Sequence, residues 1–165
     1  MAELTQLESK LAEVIGLAQA AQDSTSAVAQ LVEDEEVKRT LERMREEAKE
    51  TADRGERLAG ELNGKKTAVL DKARETKAEA NEMMRTYLRD HADGLEGLEF
   101  LIMAEAGELG HVEIVDKMNE QARDERIGEL AQWALEVQRR HFEQSREAAL
   151  KLAAQEDPNE PEAQG

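Results

Sequence analysis

LEFLIMAEAGELGHVEIV, residues 98–115, is the stretch on which the fold turns. Leu98, Leu101, Ile102, Leu109, Val112 and Val115 recur at three- and four-residue intervals. That is the period of a helix with one buried face. Leu95 falls on the same arc. Glu105 lies close to the centre of the arc, Glu108 about 60° round from it, and His111 at the edge. Glu96 and Glu99 point elsewhere and read as solvated. A charge in the middle of an apolar stripe is costly unless something pairs with it.

The next helix supplies a partner. Its stripe is Ile127, Leu130, Ala134, Val137, Ala148 and Leu152, with His141 at its middle and Gln138 one turn earlier. A short turn, ARDE at residues 122–125, joins the two helices. Positions equidistant from Arg123 then lie level across the hairpin. Glu105 and Glu108 come level with residues 139–142, beside His141, and His111 comes level with Glu136.

Working back along the chain, Leu4, Leu7, Leu11, Val14, Ile15, Ala18 and Ala21 predict a helix over about 3–31. Asp23-Ser24-Thr25-Ser26 is a weak interior stretch where it could kink. The acidic run EDEE at 33–36 suits the positive end of a second helix, about 34–62, which Asn63-Gly64 stops. A third amphipathic helix covers about 66–90, and Asp93-Gly94 breaks the pattern. The last two helices run about 95–122 and 125–154. Two long hairpins with a connecting helix predict an all-α four-helix bundle with a long crossover. Residues 1–154 read as one bundle, and 155–165, QEDPNEPEAQG, as a disordered acidic tail.

Composition narrows the function. The chain of 165 residues has 38 acidic and 22 basic side chains, a net charge of −16. That disfavours nucleic acid and anionic membrane as partners. Cysteine is absent, so disulfides, thiolate metal sites and cysteine nucleophiles are excluded. No run reaches the roughly 18 apolar residues of a membrane span. MAELTQLESK is unlike a secretory signal, and a cytoplasmic protein is expected. No Ser-His-Asp arrangement, glycine-rich phosphate loop or basic patch is present, so hydrolase, kinase and nucleotide-binding roles have no support.

Each main helix places something polar toward the core: Gln22, Glu47 at the edge of the second stripe, Glu105 with Glu108, then His141. Taken singly, each has a bland reading. A histidine on an apolar stripe is more often a hydrogen-bonded core residue, and Glu47 suits a solvated edge. Together, two carboxylates and an imidazole at one level can share a cation. Oxygen and nitrogen donors without sulfur suit iron, manganese or zinc.

The chain resembles the ferritin-like superfamily, and within it the small bacterial stress-associated bundles of the YciE/YciF type. The resemblance covers about residues 5–153. It rests on the hairpin–crossover–hairpin order, on KETADRGERL (49–58), on the MAEAGELGH run (103–111) and on WALEVQRRHF (133–142). It implies a mid-bundle iron or manganese centre. The second helix would supply Glu47 and Glu50, the next core helix Glu105 or Glu108, and the last Gln138 and His141. Gln22 and Gln138 stand where the family has carboxylates, which puts a full di-iron centre in doubt. A single-metal site, a weak site and a lost site all remain open. His111 and Glu136 fall in the surrounding shell or outside it. The resemblance further implies a homodimer or higher homo-oligomer, with Trp133 at an interface.

The leading expectation is therefore a metal-binding bundle, with iron oxidation or oxidative-stress protection as its activity. The alternative is a non-enzymatic structural bundle with a degenerate site, acting through protein or granule surfaces. GKKTAVLDKARETKAEANE in the third helix has the Lys/Glu/Ala texture that suits it.

Overall fold

The computed structural model describes residues 2–161. They form five helices: α1 (Gln6–Leu31), α2 (Glu35–Glu61), α3 (Lys66–Tyr87), α4 (Gly94–Ala122) and α5 (Glu125–Ala153). There is no strand among the described residues. None of the helices is long and apolar enough to cross a membrane.

Side-chain capping sets most of the starts. Thr5 and Glu8 close a reciprocal capping box, so α1 begins at Gln6 instead of residue 3. Asp34 and Asp124 cap α2 and α5 by accepting from two backbone amides each. Asp93, read from the sequence as part of a break, caps α4 in a second capping box with Glu96. Helix α3 stops at Tyr87, short of residue 90, because Leu88 leaves the helical path and packs against core residues. The Ser24–Thr25 stretch does not interrupt α1. Both hydroxyls donate back to the Ala21 carbonyl, at 3.2 and 2.7 Å, which is compatible with an unbroken helix.

Two turns use left-handed backbone. Gly64 (φ 72°) follows α2, and Arg123 (φ 55°) separates α4 from α5. Asn119 braces the second turn from both sides, donating to the Asp124 carbonyl and accepting from its amide.

Helices α1 and α2 form one hairpin and α4 and α5 the other; α1 faces α4, and α2 faces α5. Helix α3 lies along α1 in parallel register. Lys65 meets Glu8 at 2.7 Å at one end, and Asn81 donates to Asp23 at 2.8 Å at the other. It carries the chain back along the bundle, so α4 starts beside the end of α1, with Gly94 against the Leu31 carbonyl. Lys151 near the end of α5 reaches Asp34 (2.9 Å) and Glu36 (2.7 Å) at the start of α2.

The interior has two apolar layers. One holds Leu11, Ile15, Leu58, Val112, Ile127 and Leu135. The other holds Val28, Leu41, Met44, Leu98, Leu101 and Ala148. On α4, residues 105–108 fall between the two layers in sequence, and on α5 residues 138–145 do. The buried polar side chains of those two helices come from these intervals.

Residues 155–161 are exposed and form local turns, such as Glu160 N–H to the Asp157 carbonyl. The rest of the expected tail, 162–165, lies outside the described residues.

Candidate functional site

The polar layer begins with Glu105 and Glu108, one turn apart on α4, and Gln138 and His141, one turn apart on α5. Glu105 and His141 are fully enclosed, and Glu108 and Gln138 are buried. The tight Arg123 turn makes this pairing unavoidable once both stripes face inward. Gln138 Nε2 donates to Glu105 Oε2 at 3.0 Å and to Glu108 Oε2 at 3.2 Å, tying the two carboxylates together. His141 Nδ1 lies 3.5 Å from Glu105 Oε2 without the alignment of a hydrogen bond.

The opposite nitrogen, His141 Nε2, lies 3.8 Å from Glu47 Oε1 on α2. Glu47 is partly exposed and already carries an ion pair with Arg140. An imidazole thus stands between two carboxylates, one deep and one near the surface. Burial, and then the neighbouring Glu105, push the Glu108 carboxyl well above its ordinary value.

Several enclosed polar atoms here have no hydrogen-bond partner: Glu105 Oε1, both nitrogens of His141, and Ser145 Oγ. Buried polar groups are nearly always paired, so such a concentration calls for a reason. A void of about 10 Å³ adjoins Glu108 and Gln138, lined also by Thr51 and Val112. That is the scale of a single water. Among the described residues, no three carboxylates or imidazoles are gathered as a ready set of metal ligands. The Gln138 amide hydrogens bridge the two carboxylates where a cation would neutralise them.

The other sequence candidates are placed elsewhere. Glu50 points away from the layer and pairs with Arg54 at 2.8 Å and Arg57 at 3.6 Å, because its position on α2 is outside the stripe. Gln22 is half-buried and bonds back to the Ala18 carbonyl of its own helix at 3.4 Å. His111 is held at the rim. Its Nδ1 bonds the Gly107 carbonyl at 2.8 Å, and its Nε2 lies 3.6 Å from Glu13. Trp133 is engaged within the chain, its indole N–H donating to Thr51 Oγ1 at 3.2 Å under the Arg54 guanidinium.

Three participants were not singled out from the sequence. Ser145 follows His141 by one turn on the same stripe, a signal visible in the spacing. Thr51 sits one turn after Glu47 on α2 and lines the small void. Arg140, next to His141, was unreadable as a partner of Glu47, because that needs the register of α5 on α2.

No protein-family model, curated protein or solved structure matches the chain.

Proposed function

We propose that this chain is a ferritin-like metal-binding bundle that holds one divalent cation, iron or manganese, between α4 and α5. The observation that carries the reading is the set of enclosed, unpartnered atoms Glu105 Oε1 and the His141 ring nitrogens beside a second buried carboxylate. The connectivity of two hairpins and one long helical crossover supports it, since that is a recurrent frame for metal sites inside bundles.

The donor set fits one hard or borderline cation. Glu105 and Glu108 together balance a charge of two. His141 Nδ1 faces them, and the Gln138 amide can present its oxygen in place of its nitrogen. Glu47 then acts from the far side of the ring. A ligating histidine normally gives its other N–H to a carboxylate, which fixes the tautomer and orientation. Arg140 in turn holds Glu47. Two divalent ions would be under-neutralised with Gln22 and Gln138 in place of carboxylates. Bound iron would supply one-electron exchange with dioxygen or peroxide. Apolar layers flank the pair of carboxylates on either side, and Glu108 would have to release its proton to hold a cation.

One observation favours a second reading. The two hydrogen bonds from Gln138 already tie the carboxylates without any ion. A purely structural bundle would use Gln138 in this way permanently.

Elemental analysis separates the two. Purified chain is loaded anaerobically with Fe(II) or Mn(II), desalted and assayed. The metal reading expects one ion per chain, lost in Glu105→Gln and in His141→Ala while the helical circular dichroism signal is unchanged. No retained ion, or retention unaffected by both substitutions, leaves the structural bundle.

A further inference from the structure

Glycine follows a short side-chain carbonyl at two places, Asn63-Gly64 and Asp93-Gly94. There the glycine backbone nitrogen can attack that carbonyl and close a five-membered ring. Glycine permits this best, because it has no Cβ to hinder the approach and its backbone turns freely. The fold gives the two pairs opposite surroundings.

Asn63 and Gly64 stand in the connection between α2 and α3, outside both helices, and both are exposed. A Cβ added at Gly64 would meet nothing within 4 Å, so no packed neighbour restricts movement there. The amides of Leu62 and Lys65 donate to the Ala59 and Leu62 carbonyls. Among the described residues, the Gly64 amide donates to no backbone carbonyl. It is free to act as the nucleophile.

The other candidates are held. The Asp93 carboxylate accepts from the Glu96 amide at 2.9 Å, and Gly94 is buried, with a Cβ there only 3.0 Å from the Leu31 carbonyl oxygen. Asn81 and Asn119 lie inside α3 and α4, where the helical ladder engages the next amide. Their side chains are tied to Asp23 and Asp124. Asn159 is exposed, but glutamate follows it and its amide nitrogen lies 3.5 Å from Asp157.

We propose that Asn63 is a site of spontaneous modification, converted through a cyclic imide to aspartate and isoaspartate. The Gly64 nitrogen gives its proton to solvent and attacks Asn63 Cγ. The N–Cγ bond forms, and Asn63 Nδ2 leaves as ammonia. Water then opens the ring. Cleavage of the new N–Cγ bond gives aspartate. Cleavage at the main-chain carbonyl gives isoaspartate, with one extra atom in the backbone of the turn. One water is consumed, one ammonia is released, and nothing is oxidised or reduced. Either product adds a negative charge to a chain already at −16. The charge falls at the negative end of the α2 dipole, where the last turn has no basic residue. The proposal is independent of the metal reading.

The experiment ages the full chain in neutral buffer, then combines peptide mapping by mass spectrometry with enzymatic methylation of isoaspartate. The peptide containing Asn63 should gain the mass difference between an acid and an amide and split into two forms. Its conversion should speed up as pH rises, since the attacking nitrogen must lose a proton. Asn81, Asn119, Asn159 and Asp93 should stay unchanged over the same period. Gly64→Ala should slow conversion about tenfold. Alanine is strained at φ 72°, so Asn63→Gln serves as a second variant that leaves the backbone alone. It should give no isoaspartate at the turn, because glutamine must close a larger ring. A free peptide of residues 58–68 is aged alongside. An intact Asn63 in the folded chain once that peptide has converted would overturn the proposal. Conversion of Asn159 or Asp93 as fast as Asn63 would overturn it too, since the fold would then not single out this turn.

Discussion

Glu108 concentrates the conflict of the polar layer. It is buried beside Glu105, and both effects favour its neutral form. The native state therefore keeps a proton that the unfolded chain releases near its ordinary value of 4.5. The stability this proton supplies is complete below the unfolded value and is lost as pH rises through the folded one. Glu108→Gln removes that loss. In metal-free protein its melting-temperature advantage should grow from pH 5 to pH 8, reaching about 1–3 kcal/mol, or roughly 2–10 °C. A constant difference across that range would show that the carboxyl is ionised throughout. Chelex-treated protein is needed, because a bound cation would hold the carboxylate ionised and reverse the trend. The nearness of Glu105, Glu108, Gln138 and His141 was legible in the sequence, since a tight turn fixes the level of residues on either side of it. The ion pair of Arg140 with Glu47 was not, because nothing local relates α2 to α5.

Helix α3 shows how one residue seats an element. A Cβ added at Gly16 would lie 2.4 Å from the Ala73 carbonyl oxygen and 2.8 Å from Thr76 Cβ. The absent side chain lets α3 settle on α1. Gly16→Leu should push α3 outward and lower stability by about 1–3 kcal/mol, despite leucine's higher helix propensity. Hydrogen exchange followed by mass spectrometry should show faster exchange in 66–87 than in α4 and α5. Uniform protection, or a higher melting temperature, would mean α3 is not held by this contact. Four of the five helix starts follow from capping residues that stand plainly in the sequence. The early end of α3 does not, because it depends on Leu88 finding a place against core residues from distant segments.

Charge acts over the full bundle. A net −16 on 165 residues makes the compact state repel itself. Many ion pairs lie within single helices at three- or four-residue spacing, such as Lys49 with Asp53 and Arg45 with Glu42, and are largely exposed. Such exposed pairs contribute little, because water and salt screen them. Screening should therefore relieve more repulsion than it removes attraction. Raising NaCl from about 0.01 M to about 0.1 M shortens the screening length from about 30 Å to about 10 Å. The melting temperature should rise by several degrees over that step, near 2–4 °C per kcal/mol for a chain of this size. A fall would mean that the ion pairs outweigh the excess acid.

The helical class, the two hairpins and the level of Glu105 with His141 were written into periodicity, caps and a short turn. All three are local, decided within a few residues of chain. Which carboxylate faces which imidazole nitrogen was decided by packing, as was the displacement of Glu50 to an arginine-lined surface. These depend on how helices far apart in sequence rotate and slide against one another. Side-chain volumes such as the missing one at Gly16 set that fit, and no single stretch of the chain encodes it.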